Sequence, residues 1–404
     1  MSRGERSNVS LLLFLVLLLI GVYSSHGLYS LVLVSGGETG KQSIEQSNEE
    51  IQEGPKIETI TLTAAGDCLM HNTQNWSGLQ EDGSYSFPTF FAEVKDLINE
   101  GDYSSISFEA AMAGPETGYS GYPLFNSPDA MADTLKDAGF DLIVTANNHI
   151  MDRGYKGAIR TLEVLRKAGL DTVGTYKAGD NTPKPVIKDI RGVKVGYIAY
   201  SYGTNGIPVP EEHLQFNFLD REVILQDIAE LREQVDVIVL VLHWGVEYAP
   251  KPTQEQRALA YEFLEAGADI ILGSHPHVIQ PMEIVNINGK DRFVIYSMGN
   301  FISHQRGLER NSGIVLKIRI TKDFVAQETW LDEVSYTPTY SHQYLENGKS
   351  YFRVIPVERA MKDILEGKEA FLTKEHLPVL QSVLNSTISQ LGQPFASDKM
   401  KSIN

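Results

Sequence analysis

From Thr59 onward, short runs rich in β-branched residues alternate with stretches whose apolar residues recur every three to four positions. The runs predict strands at 59–65, 104–108, 142–145, 193–201, 235–242, 270–272, 293–296 and 314–320, and the intervening stretches predict helices at 91–98, 128–138, 156–168, 220–234 and 254–266. Several strands are apolar throughout rather than alternating, as a sheet covered on both faces requires. This defines an α/β domain over 59–335. After Tyr336 strand runs become sparse while 357–366 and 376–390 keep a helical period, so 336–404 is expected to be a small helical extension.

Upstream, the pattern changes. No charged residue stands between Arg6 and Glu38, and 11–22 is almost entirely Leu, Ile, Val and Phe. That core suits a signal peptide, while 11–34 reaches the roughly 20 residues that span a bilayer. Ser25-His26-Gly27 offers a small-x-small step for cleavage. Residues 1–34 therefore read as a signal anchor or signal peptide. Arg3 and Arg6 before the apolar run place the remainder outside the cytoplasm, as a single-pass protein of the cell membrane with an extracellular main domain, secreted if the leader is cleaved. Residues 35–58 are polar, rich in Glu and Gln and free of aromatics, and read as a disordered stalk.

Composition narrows the chemistry. The 404 residues carry 35 Lys and Arg against 52 Asp and Glu, a net charge of −17, which argues against a nucleic-acid partner. The one cysteine, Cys68, excludes an intramolecular disulfide and any cysteine-rich zinc module.

The polar residues cluster where the predicted strands end. Asp67 and His71, Glu109, Asn148 and His149, His243 and Glu247, and His275 and His277 each follow a strand, and in open α/β sheets those loops bind ligands. Five of the ten histidines lie in these loops. Imidazole and carboxylate with an Asn carbonyl suit a borderline divalent ion such as Mn, Zn or Fe, and Asp67, His71, Glu109, Asn148, His243, His275 and His277 provide donors for one ion or two. His149 and Glu247 are the candidate acid–base residues, Glu247 standing equally well as a surface carboxylate. No G-x-S-x-G, H-E-x-x-H or G-x-G-x-x-G motif offers a rival chemistry.

Gly66-Asp67, Ser107-Phe108-Glu109, Asn147-Asn148-His149 with Asp152 and Gly154, His243-Trp244-Gly245 with Glu247-Tyr248, His275-Pro276-His277 and Tyr296 to Phe301 occur in that order. In this the chain resembles the CapA family of capsule-biosynthesis proteins, over about 58–335. That family in turn resembles the calcineurin-like metallophosphoesterases. The resemblance implies a four-layer αββα sandwich, metal ligation by Asp67, Glu109, Asn148, His243, His275 and His277, and His149 beside the substrate as acid or phosphate clamp. It also implies poly-γ-glutamate and synthase subunits as partners, at the cytoplasmic membrane. Two departures stand out: Leu69 occupies the place of the histidine that follows the first Asp in phosphoesterases, with His71 two residues beyond as its expected replacement, and Glu109 stands where Asp is usual.

Three readings follow: a membrane-anchored extracellular protein of poly-γ-glutamate synthesis or export, a metal-dependent phosphoesterase or amide hydrolase, and a catalytically silent binding module. Residues 1–34 contribute +1, so the remainder carries −18, and an anionic substrate then needs local cations to approach.

Overall fold

The computed structural model describes residues 57–180 and 185–396, all within one compact unit, Glu53–Asn404. The expected leader (1–34) and residues 35–56 of the expected stalk lie outside the described residues; residues 57–58 already belong to the first strand. Among the described residues, no helix is long and apolar enough to cross a membrane.

In chain order the strands are β1 (Ile57–Cys68), β2 (Tyr103–Phe108), β3 (Leu142–Val144), β4 (Asp171–Val173), β5 (Thr175–Lys177), β6 (Val186–Ile190), β7 (Val193–Ser201), β8 (Leu214–Phe216) and β9 (Val237–His243). They continue as β10 (Ile270–Ser274), β11 (Met282–Ile287), β12 (Lys290–Ile295), β13 (Asn300–Ile302), β14 (Ser312–Asp323), β15 (Glu328–Glu346), β16 (Lys349–Pro356) and β17 (Phe395–Ala396). The helices are α1 (Asn72–Gly78), α2 (Lys95–Ile98), α3 (Ala130–Ala138), α4 (Gly154–Lys167), α5 (Arg221–Arg232), α6 (Gln254–Ala266), α7 (Val357–Glu366) and α8 (Leu377–Leu391).

Two sheets form. The larger runs β16-β15-β14-β1-β2-β3-β4, with β13 parallel to β1 and β17 against β15; the smaller runs β11-β12-β10-β9-β7-β6. Strands β1 to β4 are mutually parallel, as are β7, β9, β10 and β12. The sheets bury Ile60, Leu62 and Val144 of one against Val195, Tyr197 and Val239 of the other. On the outer face of the larger sheet, Leu135 of α3 and Leu165 of α4 cover Ile106 and Ile143; on that of the smaller, Ile228 of α5 and Phe263 of α6 cover Leu240 and Ile271. The result is a mixed α/β sandwich with apolar strands buried on both faces, as their composition demands.

The helix starts follow local chemistry. Asp220 accepts from the amides of Glu222 and Val223 at 3.0 and 3.1 Å to open α5, and Thr253 with Gln256 closes a capping box on α6, each cap contributing about 1 kcal/mol.

Two expectations need correction. The stretch 91–98 forms a regular helix only over α2, because Phe91 and Val94 sit in tight turns that press their side chains into the core. The extension after Tyr336 is not helical alone: β15 crosses Tyr336 without a break and pairs with β14 and β16. It buries Thr339, Ser341 and His342 beside half-buried Tyr336, Tyr340 and Tyr344, so no apolar run betrayed the strand. Helices α7 and α8 do form, around Ile364, Leu380 and Val383.

Candidate metal centre

The parallel strands of both sheets deliver their carboxyl ends to one place. Two glycines make the approach possible. A Cβ on Gly66 would lie 1.9 Å from the carbonyl oxygen of Gly299, and one on Gly273 would lie 1.9 Å from that of Tyr296. Asp67 and the loop bearing His275 and His277 follow directly.

Glu109 is the centre of the arrangement. It is fully buried just after β2, and neither carboxylate oxygen has a hydrogen-bond partner. Its Oε1 lies 3.7 Å from Nε2 of His277, 3.8 Å from Nε2 of His243 and 4.0 Å from Nε2 of His149. Burial, with Asp67 and Glu247 nearby, pushes its carboxyl well above the usual range, against the pull of His277. Leaving a buried carboxylate without donors is costly, and a cation is the natural compensation.

Asp67 accepts the backbone N–H of His275 at 3.1 Å on Oδ2, while its Oδ1 is buried and unpartnered. His277 donates from Nδ1 to Asn300 Oδ1 at 3.0 Å, which turns its Nε2 toward Glu109. Although burial pulls His277 down, Glu109 and Asp67 push it up to about 9, so an imidazolium faces these two carboxylates. His243 sits at the end of β9, with Nδ1 2.9 Å from Ser274 Oγ and Nε2 2.8 Å from Asn148 Oδ1. Burial, then the neighbouring histidines, pull His243 well below its usual value and His275 to about 3, keeping both neutral. Nδ1 of His275 is buried and unpartnered.

Three sets of donors have ligand atoms mutually within 4.8 Å: Glu109, His243 and His275; Asp67, Glu109 and His277; and Glu247, His275 and His277. The structure thus brings together Asp67, Glu109, Asn148, His243, His275 and His277, with Glu247 exposed at the rim. The orphaned oxygens of Glu109 and Asp67 and the bare Nδ1 of His275 fit a divalent ion. His275 and His277 hold φ of 93° and 60°, left-handed values uncommon outside glycine, so the backbone is strained to aim them.

His71 falls outside all three sets. Its Nδ1 accepts the backbone N–H of His304 at 3.3 Å, its ring packs edge-on against Phe125, and burial lowers it to about 4. Leu69 is buried in the apolar cluster under the larger sheet. Burial pushes the Cys68 thiol up, so it remains an inert thiol. His149 donates Nδ1–H to Asp152 Oδ2 at 2.8 Å, leaving Nε2 directed at Glu109.

Residues without a role in the sequence pattern also shape the site. Asn205 Oδ1 accepts from Asn148 Nδ2 at 3.1 Å and so points Asn148 Oδ1 at His243. Tyr202 packs on His275 with ring centroids 4.5 Å apart and lies parallel to His243. Asn300, read from sequence only as part of a strand-end block, orients His277. Tyr202 and Asn205 follow β7, which places them by the same strand-end rule; their plain surroundings in sequence gave no further signal.

Fold and site together define a mixed α/β sandwich with a buried cluster of His and carboxylate side chains that could hold a metal ion. The profile of the bacterial capsule synthesis proteins, PGA_cap, matches residues 61–305, and the chain belongs to that family. It is 29% identical over 258 residues to the capsule biosynthesis protein CapA of Bacillus anthracis, covering 61% of each chain. It is 28% identical over 284 residues to the PGA biosynthesis protein CapA of Bacillus subtilis, covering 67% of this chain and 72% of that one. The chain therefore spans 61% of the length of the anthracis relative. Similar solved structures include a calcineurin-like phosphoesterase of Bacillus subtilis, at 15% identity and TM-score 0.40, covering 82% of this chain and 98% of that one. Another is the NAD nucleotidase of Haemophilus influenzae, at 13% identity and TM-score 0.45, covering 86% and 59%.

Proposed function

We propose that this chain takes part in the synthesis or export of poly-γ-glutamate, or a related acidic surface polymer, through a divalent-metal centre at the joined edges of its two sheets. The carrying observation is the unpartnered Glu109 carboxylate ringed by three histidines, in a chain of the capsule synthesis family. Asp67, Glu109 and His277 would hold one ion, and Glu109, Asn148, His243 and His275 a second, of Mn, Zn or Fe type. Such an ion supplies Lewis acidity toward a phosphoryl or carbonyl oxygen. The apolar leader and the two arginines before it support a membrane-anchored chain whose main domain faces outward, beside the synthase subunits.

A second reading, metal-dependent hydrolysis of a phosphoester or amide, is favoured by one feature. Asp152 is an acceptor, so it fixes the Nδ1–H tautomer of His149 and leaves Nε2 facing the cage as a proton acceptor, or as a donor once protonated. Phe125 locks the same carboxylate by donating its amide to Asp152 Oδ2 at 2.7 Å. Glu247, exposed beside His275 and His277, is a further proton acceptor at the rim.

Deleting the gene in its host and measuring surface polyglutamate tests the first reading. Polymer should fall, return with the wild-type chain and fail to return with Glu109→Gln; unchanged polymer on deletion would sink it. Turnover of chromogenic phosphodiesters by protein reloaded with Mn²⁺, lost in His149→Ala, tests the second.

A further inference from the structure

Beside the candidate metal centre lies a groove of about 430 Å³, whose lining includes Tyr248, Val278, Ile279, Glu309, Arg310 and Thr387. Tyr248 adjoins Glu247, and Val278 adjoins His277, so the groove opens next to the donors. Its far wall is α8, held in place by Gln390, whose Nε2 donates to the carbonyl of Ile279 at 3.1 Å and to that of Pro250. Arg310 and α8 lie beyond residues 61–305, the part matched by the family profile.

Two features of the groove await a ligand. Arg310 lays its guanidinium over the Tyr248 ring at 4.1 Å, yet among the described residues no carboxylate pairs with it, whereas Arg160, Arg191, Arg257 and Arg359 are each ion-paired. Its backbone carbonyl is held at 2.8 Å by Asn300 Nδ2, and the same asparagine takes His277 on Oδ1, so one side chain sets both the cation and a metal donor. The second feature is Thr387. Its side chain is 1% exposed and its Oγ1 has no hydrogen-bond partner. Thr134 and Thr161, also within helices, return their hydroxyls to the carbonyls of Ala130 and Gly157 at 2.8 Å. Thr387 makes no such bond, and the residue forms part of the groove's lining.

We propose that this groove seats a segment of an acidic polyamide beside the metal centre, Arg310 pairing a side carboxylate and Thr387 hydrogen-bonding an amide of the backbone. The proposal rests on the reading of the chain as a protein of an acidic polymer. A chain of net charge −17 repels polyanions generally, so an unpaired arginine at the site mouth marks where one is received. A single guanidinium flanked by the apolar Val278 and Ile279 and a lone hydroxyl suits a ligand with carboxylates spaced along an amide backbone. A polyphosphate, with a charge on every unit, calls for a run of basic groups.

The test uses the detergent-purified full-length chain and a short fluorescent γ-linked glutamate oligomer, read by anisotropy at low salt, with Mn²⁺ uptake followed separately by calorimetry. Wild type should bind the oligomer. Arg310→Gln should weaken it about tenfold, as loss of a charge-assisted pair does, and Thr387→Val about threefold, as loss of one neutral hydrogen bond does. Glu309→Gln should strengthen it, and all three variants should take up Mn²⁺ as wild type does. An oligomer held equally by Arg310→Gln, or displaced by a tighter-binding inorganic polyphosphate, overturns the proposal. Wild type that takes up Mn²⁺ but not the oligomer overturns the groove and leaves the metal centre standing; Arg310-dependent oligomer binding without Mn²⁺ uptake does the reverse.

Discussion

The two halves of the metal centre share Glu109 and differ in almost everything else. On one side stand Asn148, His243 and His275, where burial keeps both imidazoles neutral. On the other stand Asp67 and His277, where the imidazole is pushed up to about 9 and carries a proton that an incoming ion must displace. The first side offers four donors with Glu109. The second offers three, since Leu69 is an apolar residue buried in the core and His71 is turned to the His304 amide. Metal binding is deprotonation as well as coordination. One half is therefore prepared for its ion and the other must be prepared by it, and the two ions should bind in sequence, with the Asn148 side first and tighter.

The shared carboxylate gives the largest effect. Glu109→Gln should abolish both binding events in calorimetry, a loss well above the roughly 100-fold that changes to outer-shell partners cost. If one event survives, Glu109 does not bridge the halves.

Next comes a pair of single truncations. His243→Ala should remove the tighter event and leave the weaker; His277→Ala should remove the weaker and leave the tighter. Loss of the same event in both variants breaks the distinction between the halves. Leu69→His sharpens it from the other direction. Placing an imidazole two residues beyond Asp67 should tighten the weaker event about tenfold, while lowering metal-free stability by about 1–3 kcal/mol, the cost of burying a polar group in an apolar cluster.

The asymmetry was partly legible in the sequence. Asp67, Glu109, Asn148, His243, His275 and His277 could be found because each follows an apolar strand, and strand ends converge in an α/β sandwich. The expectation that His71 substitutes for the missing histidine rested on proximity in sequence. Residue 71 is already the N-cap of α1, whose backbone turns the chain away, so nearness along the chain did not become nearness to the cage. The supporting shell was harder to see. Asn205 and Tyr202 reach the donors from β7 through a loop with no metal-ligand spacing, and Asn300 acts through a single hydrogen bond to His277. In the fold, the strands with continuous apolar runs were visible, whereas the second half of β15 was not, because it packs with polar and aromatic residues, buried Thr339, Ser341 and His342 among them, in place of an apolar run.

The smallest effect is on pH dependence, and its sign follows from His277. In the metal-free protein its imidazole is raised from 6.5 to about 9 against burial by Glu109 and Asp67, so its contribution to stability is fully present below 6.5 and is lost as pH rises through 9. Glu109, raised by burial, loses its own contribution in the same direction. Metal-free wild type should accordingly lose a few degrees of melting temperature between pH 7 and 10 relative to His277→Gln, whose side chain cannot hold the proton. Loading both ions should cancel that difference, since the charge that the imidazolium supplied is then provided by a cation whose binding strengthens as protons leave. Melting curves across this range, with chelator and with excess Mn²⁺, give the comparison. Parallel metal-free profiles for wild type and His277→Gln would show that the Asp67 side carries no extra proton, and the two halves would then differ only by the donor missing at Leu69.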